Sequence, residues 1–289
     1  MNHYTLIEDG GVVRSLIQHW KDENIESIAM DFEGEFNLHI YGEHLALIQI
    51  YDGHEFFLID PVKLTSEDLR LLLEESSIEK VMFDCSSDAS LVYRSYNIRL
   101  SHVFDIRISS TLLGYEGSLS KITHTLLQQE PLVPKKAFQR ANWLKRPLSQ
   151  ELIAYALSDV KYLLQLKEIL VHNIKEKNLE KEHSLRQANA ASVKTRTKKA
   201  YLNWREYHKL NKEEQQLLML LFDQREILAQ KENLPPYKVM SKQDLIRFVT
   251  EVPLSKEELI RRIRSKNRRI REELIEAFYP LLFTDKTEG

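Results

Sequence analysis

A chain of 289 residues, 43% hydrophobic and 29% charged, has room for one large domain and a small one and the composition of a globular protein. Its beginning, MNHYTLIEDGG, has no basic stretch leading into an apolar run, and no apolar segment approaches the ~20 residues that span a bilayer; the single cysteine, Cys85, excludes an intrachain disulfide and suits a reducing cytoplasm. Net charge is −2, but residues 1–190 hold 20 Lys+Arg against 28 Asp+Glu while residues 191–289 hold 21 against 15, so only the basic back half offers an electrostatic footprint for a polyanion.

In chain order, residues 27–32 and 45–50 read as strands, and 55–59 as a third, closed by Asp60-Pro61. LTSEDLRLLLEES has helical periodicity with Ser66 as the expected N-cap. IEKVMFD returns to strand, ASLVYRSYNI to helix, and HVFDI is a last short strand. Adjacent strands followed by strand–helix alternation imply a mixed sheet flanked by helices. From Ser109 onward the pattern is helical, and 150–172 reads as one helix capped by Ser149, with Ile153, Leu157, Val160, Leu164 and Ile169 on its apolar stripe. The small, polar and basic ANAASVKTRTKKA, near residues 189–200, reads as an interdomain connection, which sets the expected boundaries at 1–190, a connection over 191–210, and a helical domain over 211–289.

The acids pose a physical problem. Asp31 and Glu33 are two apart in a strand, so they share a face, where like charges repel and lose hydration. Tyr155 and Asp159 are four apart and stack on one helix face. Asp88 falls where a strand gives way to a helix, a place that suits either a ligand or a simple helix cap. If the four carboxylates converge, divalent cations neutralise them, and Mg²⁺ takes oxygen ligands. Two such ions suit hydrolysis at phosphorus, with a tyrosine orienting the attacking water.

In order and context, Asp31-x-Glu33, Asp88 and Tyr155-x-x-x-Asp159 resemble the DEDD exonuclease superfamily in its tyrosine-bearing branch. LALIQI with FFLIDP, FDIRISSTLLGYEGSLSKI, and NWLKRPLSQELIAYALSDVKYLLQL are similar to ribonuclease D over roughly residues 25–170. FDQREILAQKENLPPYKVMSKQDLIRFV and the basic helix after it resemble an HRDC domain over roughly 213–282. The resemblance implies an α/β, ribonuclease H-like exonuclease domain followed by a small all-α HRDC bundle. It implies Asp31, Glu33, Asp88 and Asp159 as ligands of two Mg²⁺ or Mn²⁺ ions, with Tyr155 orienting the nucleophilic water. The activity it implies is removal of nucleoside 5′-monophosphates from RNA 3′ ends, with tRNA precursors as the expected substrates. The chain departs from that pattern at two places: Phe83 and Asp84 stand where the family has a histidine and its successor, which makes Asp84 a rival to Asp88, and Ile106 replaces a threonine after Asp105.

Expected RNA contacts are Phe36 near the first acids, Lys136, Arg140, Trp143 and Arg146 before the last motif, and Arg264 and Arg268 in RRIRSKNRRIR. Trp143 is open to the alternative of core packing, and Glu35 reads as a solvated rim charge. Two other functions compete with the exoribonuclease: a DNA exonuclease of repair type, and a catalytically silent RNA-binding module.

Overall fold

A computed structural model describes residues 3–129, 138, 140–195, 199–265 and 267–283. The chain divides into two compact units, one of residues 1–35 and 43–195, the other of 36–42 and 196–289.

The first unit is built on a six-stranded sheet: β1 (Tyr4–Ile7), β2 (Ser27–Phe36), β3 (Glu43–Tyr51), β4 (Phe56–Ile59), β5 (Glu79–Met82) and β6 (Val103–Asp105). Their order across the sheet is β1-β4-β3-β2-β5-β6. β1 runs parallel to β4, β3 antiparallel to β4, and β2, β5 and β6 run parallel. This is the mixed sheet that the strand pattern implies. Alternation along β2 sorts its residues by face. Ile28, Met30 and Phe32 join one core with Trp20, Leu69, Leu72 and Val92, contributed by α1 (Gly10–Asp22), α2 (Ser66–Leu73) and α3 (Ser86–Tyr96). Ala29, on the other face, joins Val81, Phe104, Leu163, Leu166 and Leu170 under α4 (Ile106–Leu112), α5 (Leu119–Leu127) and α7 (Leu163–Glu176). A third cluster puts Ala46, Leu47 and Leu58 against Trp143, Ile153 and Leu157, the last two from α6 (Gln150–Val160). Helices thus cover both faces.

The structure departs from the sequence reading in three places. The first 26 residues, to which the sequence reading assigns nothing, form β1 and α1, with Asp9 Oδ1 accepting from Gly11 N at 2.7 Å as N-cap. A Cβ at Gly10 would lie 2.1 Å from Asp68 Oδ1, so any other residue there forces the Asp68 carboxyl to shift. α2 is capped by Thr65 rather than Ser66, through a capping box with Asp68. The helix expected over 150–172 is two: α6 ends at Val160, and α7 starts at Leu163 after Tyr162 leaves helical geometry. The break falls where the buried stripe passes from the Trp143 cluster to the Phe104 cluster. α8 (Glu180–Gln187) closes the unit: Asp105 N donates to Gln187 Oε1 at 2.9 Å, and Gln187 Nε2 returns a bond to Asp105 O at 2.9 Å.

The second unit is helical: α9 (Lys212–Lys231), α10 (Pro236–Val239), α11 (Lys242–Thr250), α12 (Lys256–Arg262) and α13 (Arg268–Phe283). They enclose Leu218, Phe222, Leu245, Phe248, Leu259, Ile270 and Phe278. Tyr201 is 3% exposed in the same core, flanked by Trp204 and Tyr207, so residues read as connection pack as part of this unit. Residues 36–42 belong to it too. Tyr41 N donates to Asn233 Oδ1 at 3.3 Å, and Tyr237 OH donates to Leu38 O at 3.1 Å. No described helix is long and apolar enough to cross a membrane.

Candidate metal centre

β2 carries three acids on one face, because Asp31, Glu33 and Glu35 alternate with the core residues Met30 and Phe32. α6 crosses that face with its buried side toward the sheet. Ser149 Oγ accepts from Leu152 N at its start, and Tyr155 and Asp159 follow one turn apart, 6% and 9% exposed. Carboxylate oxygens of Asp31, Glu33 and Asp159, three of the four acids whose convergence the sequence raised, lie within 4.8 Å of one another. Hard oxygen donors so crowded in a partly buried place are what a divalent cation takes and what a bare fold avoids.

Tyr155 is held between aromatic neighbours. Its ring stacks on Phe138 with centroids 5.1 Å apart and tilts against Trp143 at 6.0 Å. Burial, then the charges of Asp159, Glu33 and Asp31 together with a hydrogen bond to Asp159, push its phenol far above the ordinary tyrosine value. It therefore stays protonated near neutrality.

Asp88 stands outside the 4.8 Å group. It occupies the first turn of α3, where burial and the charges of Asp84 and Asp105 push its carboxyl up to about 7. Its rival is otherwise engaged. Asp84 has a left-handed backbone (φ 58°), and its carboxylate pairs with the Arg107 guanidinium at the surface. Asp105 is 3% exposed and accepts three backbone bonds, from Asp84 N at 2.9 Å, Cys85 N at 3.0 Å and Arg107 N at 2.8 Å. It is the latch that places the β5–α3 corner, as a structural role requires. Cys85 is buried there, its thiol pushed up chiefly by burial, and it donates to Ala190 O at 3.3 Å.

Three expectations are corrected. Glu35 is 1% exposed, so it is no solvated rim charge; the alternation that exposes the acids to the site ends under cover. Trp143 is 2% exposed, with Nε1 donating to Phe138 O at 3.2 Å, so it packs behind Tyr155 instead of meeting RNA. Arg146 spends its guanidinium internally. Nε and Nη2 reach Asp60 Oδ2 and Oδ1 at 2.5 and 2.8 Å, Nη1 reaches Trp143 O at 2.6 Å, and Nη2 reaches Ala46 O at 2.7 Å. Phe36 is 44% exposed and Arg140 is exposed, while Lys136 lies outside the described residues. In the helical unit Arg268 pairs with Glu272 at 2.7 Å, whereas Arg264 is exposed and lines a cleft of about 370 Å³ with Arg247, Arg261 and Arg262, beside Asp244 and Glu251. One residue escaped the sequence reading altogether: Gln49, buried on β3 with Nε2 3.5 Å from Asp31 Oδ2. Its only signal is an amide inside the apolar run LALIQI.

The chain is 29% identical over 249 residues to ribonuclease D of Haemophilus influenzae, an alignment covering 81% of this chain and 60% of that protein. It is 28% identical over 176 residues to the RRP6-like 3 protein of Arabidopsis thaliana, covering 60% of this chain and 19% of that protein. It thus spans less than two thirds of either relative. Among solved structures, the catalytic core of RRP6 from Trypanosoma brucei superposes with a TM-score of 0.81 at 20% identity, covering 97% of this chain and 79% of that one. Escherichia coli RNase D superposes with a TM-score of 0.73 at 22% identity, covering 98% and 76%. At those identities the likeness is one of fold. A family model described as 3′-5′ exonuclease matches residues 5–175, more than half of the 289, and the chain belongs to that family.

Proposed function

We propose that the protein is a metal-dependent 3′→5′ exoribonuclease that hydrolyses nucleoside 5′-monophosphates from RNA 3′ ends, with tRNA precursors as its substrate class. The observation that carries this reading is the meeting of Asp31, Glu33 and Asp159 within 4.8 Å beside a protonated Tyr155. These donors fit Mg²⁺ or Mn²⁺, with Asp88 completing the ligand set from α3. Two bound cations supply activation of the attacking water and stabilisation of the leaving 3′ oxygen.

The chain's own groups do the rest. Tyr155 orients the water through its phenolic oxygen, from a ring that Phe138 and Trp143 keep from turning. Asp105 and Arg107 fix the corner from which Asp88 projects. We read the helical unit as an HRDC domain on the ribonuclease H-like exonuclease domain. Its cleft of Arg247, Arg261 and Arg264 takes the phosphate backbone, and Phe36 and Arg140 serve the single-stranded end.

The test is purified protein with 5′-labelled single-stranded RNA and matching DNA, under Mg²⁺, Mn²⁺ or EDTA, beside Asp31→Asn and Asp88→Asn. A ladder shortening from the RNA 3′ end, abolished by EDTA and by either variant, is the expected outcome. Preferential cutting of DNA would shift the substrate to repair intermediates. RNA bound but intact under every metal would leave a silent binding module.

A further inference from the structure

Gln49 is 0% exposed on the central strand β3, between Ile48 and Ile50, both buried, and opposite Leu58 of β4. Its amide is poorly satisfied. Nε2 stands 3.5 Å from Asp31 Oδ2, at the long limit of a hydrogen bond, and Oε1 has no hydrogen-bond partner among the described residues. A buried amide oxygen left without a donor costs about 1–3 kcal/mol. Leu or Met fills the same volume without that cost, so packing does not explain the choice of glutamine. Turning the amide over brings Oε1 against the Asp31 carboxylate, which is worse. The orientation is therefore fixed by the acid, and the stranded Oε1 is the consequence. Buried polar groups left short of partners in a well-packed core mark places where function outweighs stability.

We propose that Gln49 is a positioning residue of the cation site, whose Nε2 fixes the rotation of the Asp31 carboxylate so that it faces Glu33 and Asp159. The inference rests on the reading of those three acids as cation ligands. A single neutral donor suits this role, because it steers one carboxylate in a crowd of like charges and adds no charge that competes with the cation. Partners of this kind behind a metal ligand are commonly worth ~10–100-fold in metal affinity.

The experiment measures Mn²⁺ binding to the full chain without RNA, by the paramagnetic resonance signal of free Mn²⁺, for the parent, Gln49→Met, Gln49→Leu and Asp31→Asn. Thermal unfolding in EDTA runs alongside. The expected result is a split: Mn²⁺ affinity falls ~10-fold or more in both Gln49 variants, while the metal-free melting temperature stays level or rises. A packing role alone would lower the melting temperature and leave affinity intact. Affinity within twofold of the parent in Gln49→Met, while Asp31→Asn loses it, would overturn the inference and spare the metal reading. Equal binding by the parent and Asp31→Asn would overturn both. Failure of both Gln49 variants to fold would also overturn it, since the amide would then be a structural need.

Discussion

Replacing Arg146 by Met separates two views of this residue. Sequence placed it on the RNA; the structure turns its charge inward onto Asp60, whose side chain is 1% exposed while that of Arg146 is 27% exposed. Removal deletes two charge-assisted bonds to Asp60 and the bonds to Trp143 O and Ala46 O. The Asp60 carboxylate then keeps only the bond from Val62 N at 3.1 Å among those the structure gives it. Hydrogen bonds to a charged group contribute roughly 1.5–3 kcal/mol each, so the two to Asp60 alone suggest about 3–6. Breaking a buried pair from one side costs about 3–5 kcal/mol by direct comparison. Against a typical domain stability of about 5–15 kcal/mol, the variant should unfold at markedly lower urea, followed by far-UV circular dichroism. The double variant Arg146→Met with Asp60→Leu removes the stranded charge and should recover most of the loss. A loss under about 1 kcal/mol, with RNA affinity reduced and its salt slope lowered by about 1, would refute the internal role and restore the RNA contact.

Other outcomes follow from the same geometry. Tyr155→Phe should lower kcat on the order of 10²-fold with little change in KM, and should leave the pH profile between 6 and 9 unaltered, because burial and the neighbouring acids keep the phenol protonated there; a limb that vanishes with the hydroxyl would contradict this. Asp84→Asn should not weaken Mn²⁺ affinity, since it removes a charge that holds the Asp88 carboxyl up, and should cost under about 1 kcal/mol, because its pair with Arg107 is half exposed; isothermal titration checks the first part and urea unfolding the second. Lys80, 0% exposed and bonded to Glu75 O and Ser101 O, has its pKa lowered from 10.5 to about 8, chiefly by burial. Its folded value lies below its unfolded one, so the unfolded chain holds the extra proton between those values and stability rises with pH across about 8 to 10.5. The gain should reach about 3 kcal/mol at the top of the window, measured as the difference between the parent and Lys80→Met, in which the opposing raised thiol of Cys85 and phenol of Tyr155 cancel. A flat difference would show that Lys80 titrates as in water.

The sequence made the acids legible because their spacing is a statement about direction. A strand repeats every two residues and a helix nearly every four, so Asp31 with Glu33 and Tyr155 with Asp159 had to share faces. What spacing does not carry is depth. Glu35 continues the same alternation, yet it is buried. Arg146 and Trp143 flank a motif and look like a basic-aromatic surface, but Arg146 pairs with Asp60, 86 residues earlier, and Trp143 packs behind Tyr155. Asp9-Gly10-Gly11 is assigned to no element from sequence; in the structure Asp9 caps α1 there, with Asp68 close against Gly10. The break between α6 and α7 was hidden because apolar residues run in phase on both sides of it, each serving a different cluster.

The chain has three tryptophans, and the packing gives each a different address. Trp20 lies in the core under α1, donating to Asp52 Oδ2 at 3.0 Å. Trp143 backs Tyr155 at the acid cluster. Trp204 belongs to the helical unit, with the charges of Arg225 and Lys242 5.9 and 5.4 Å from its ring. Intrinsic emission is therefore already partitioned by region. Retaining one indole at a time, with phenylalanine at the other two, yields an optical channel for the sheet, for the layer behind the acids and for the helical unit. The order in which the three signals change on dilution from urea would then say which of these regions assembles first.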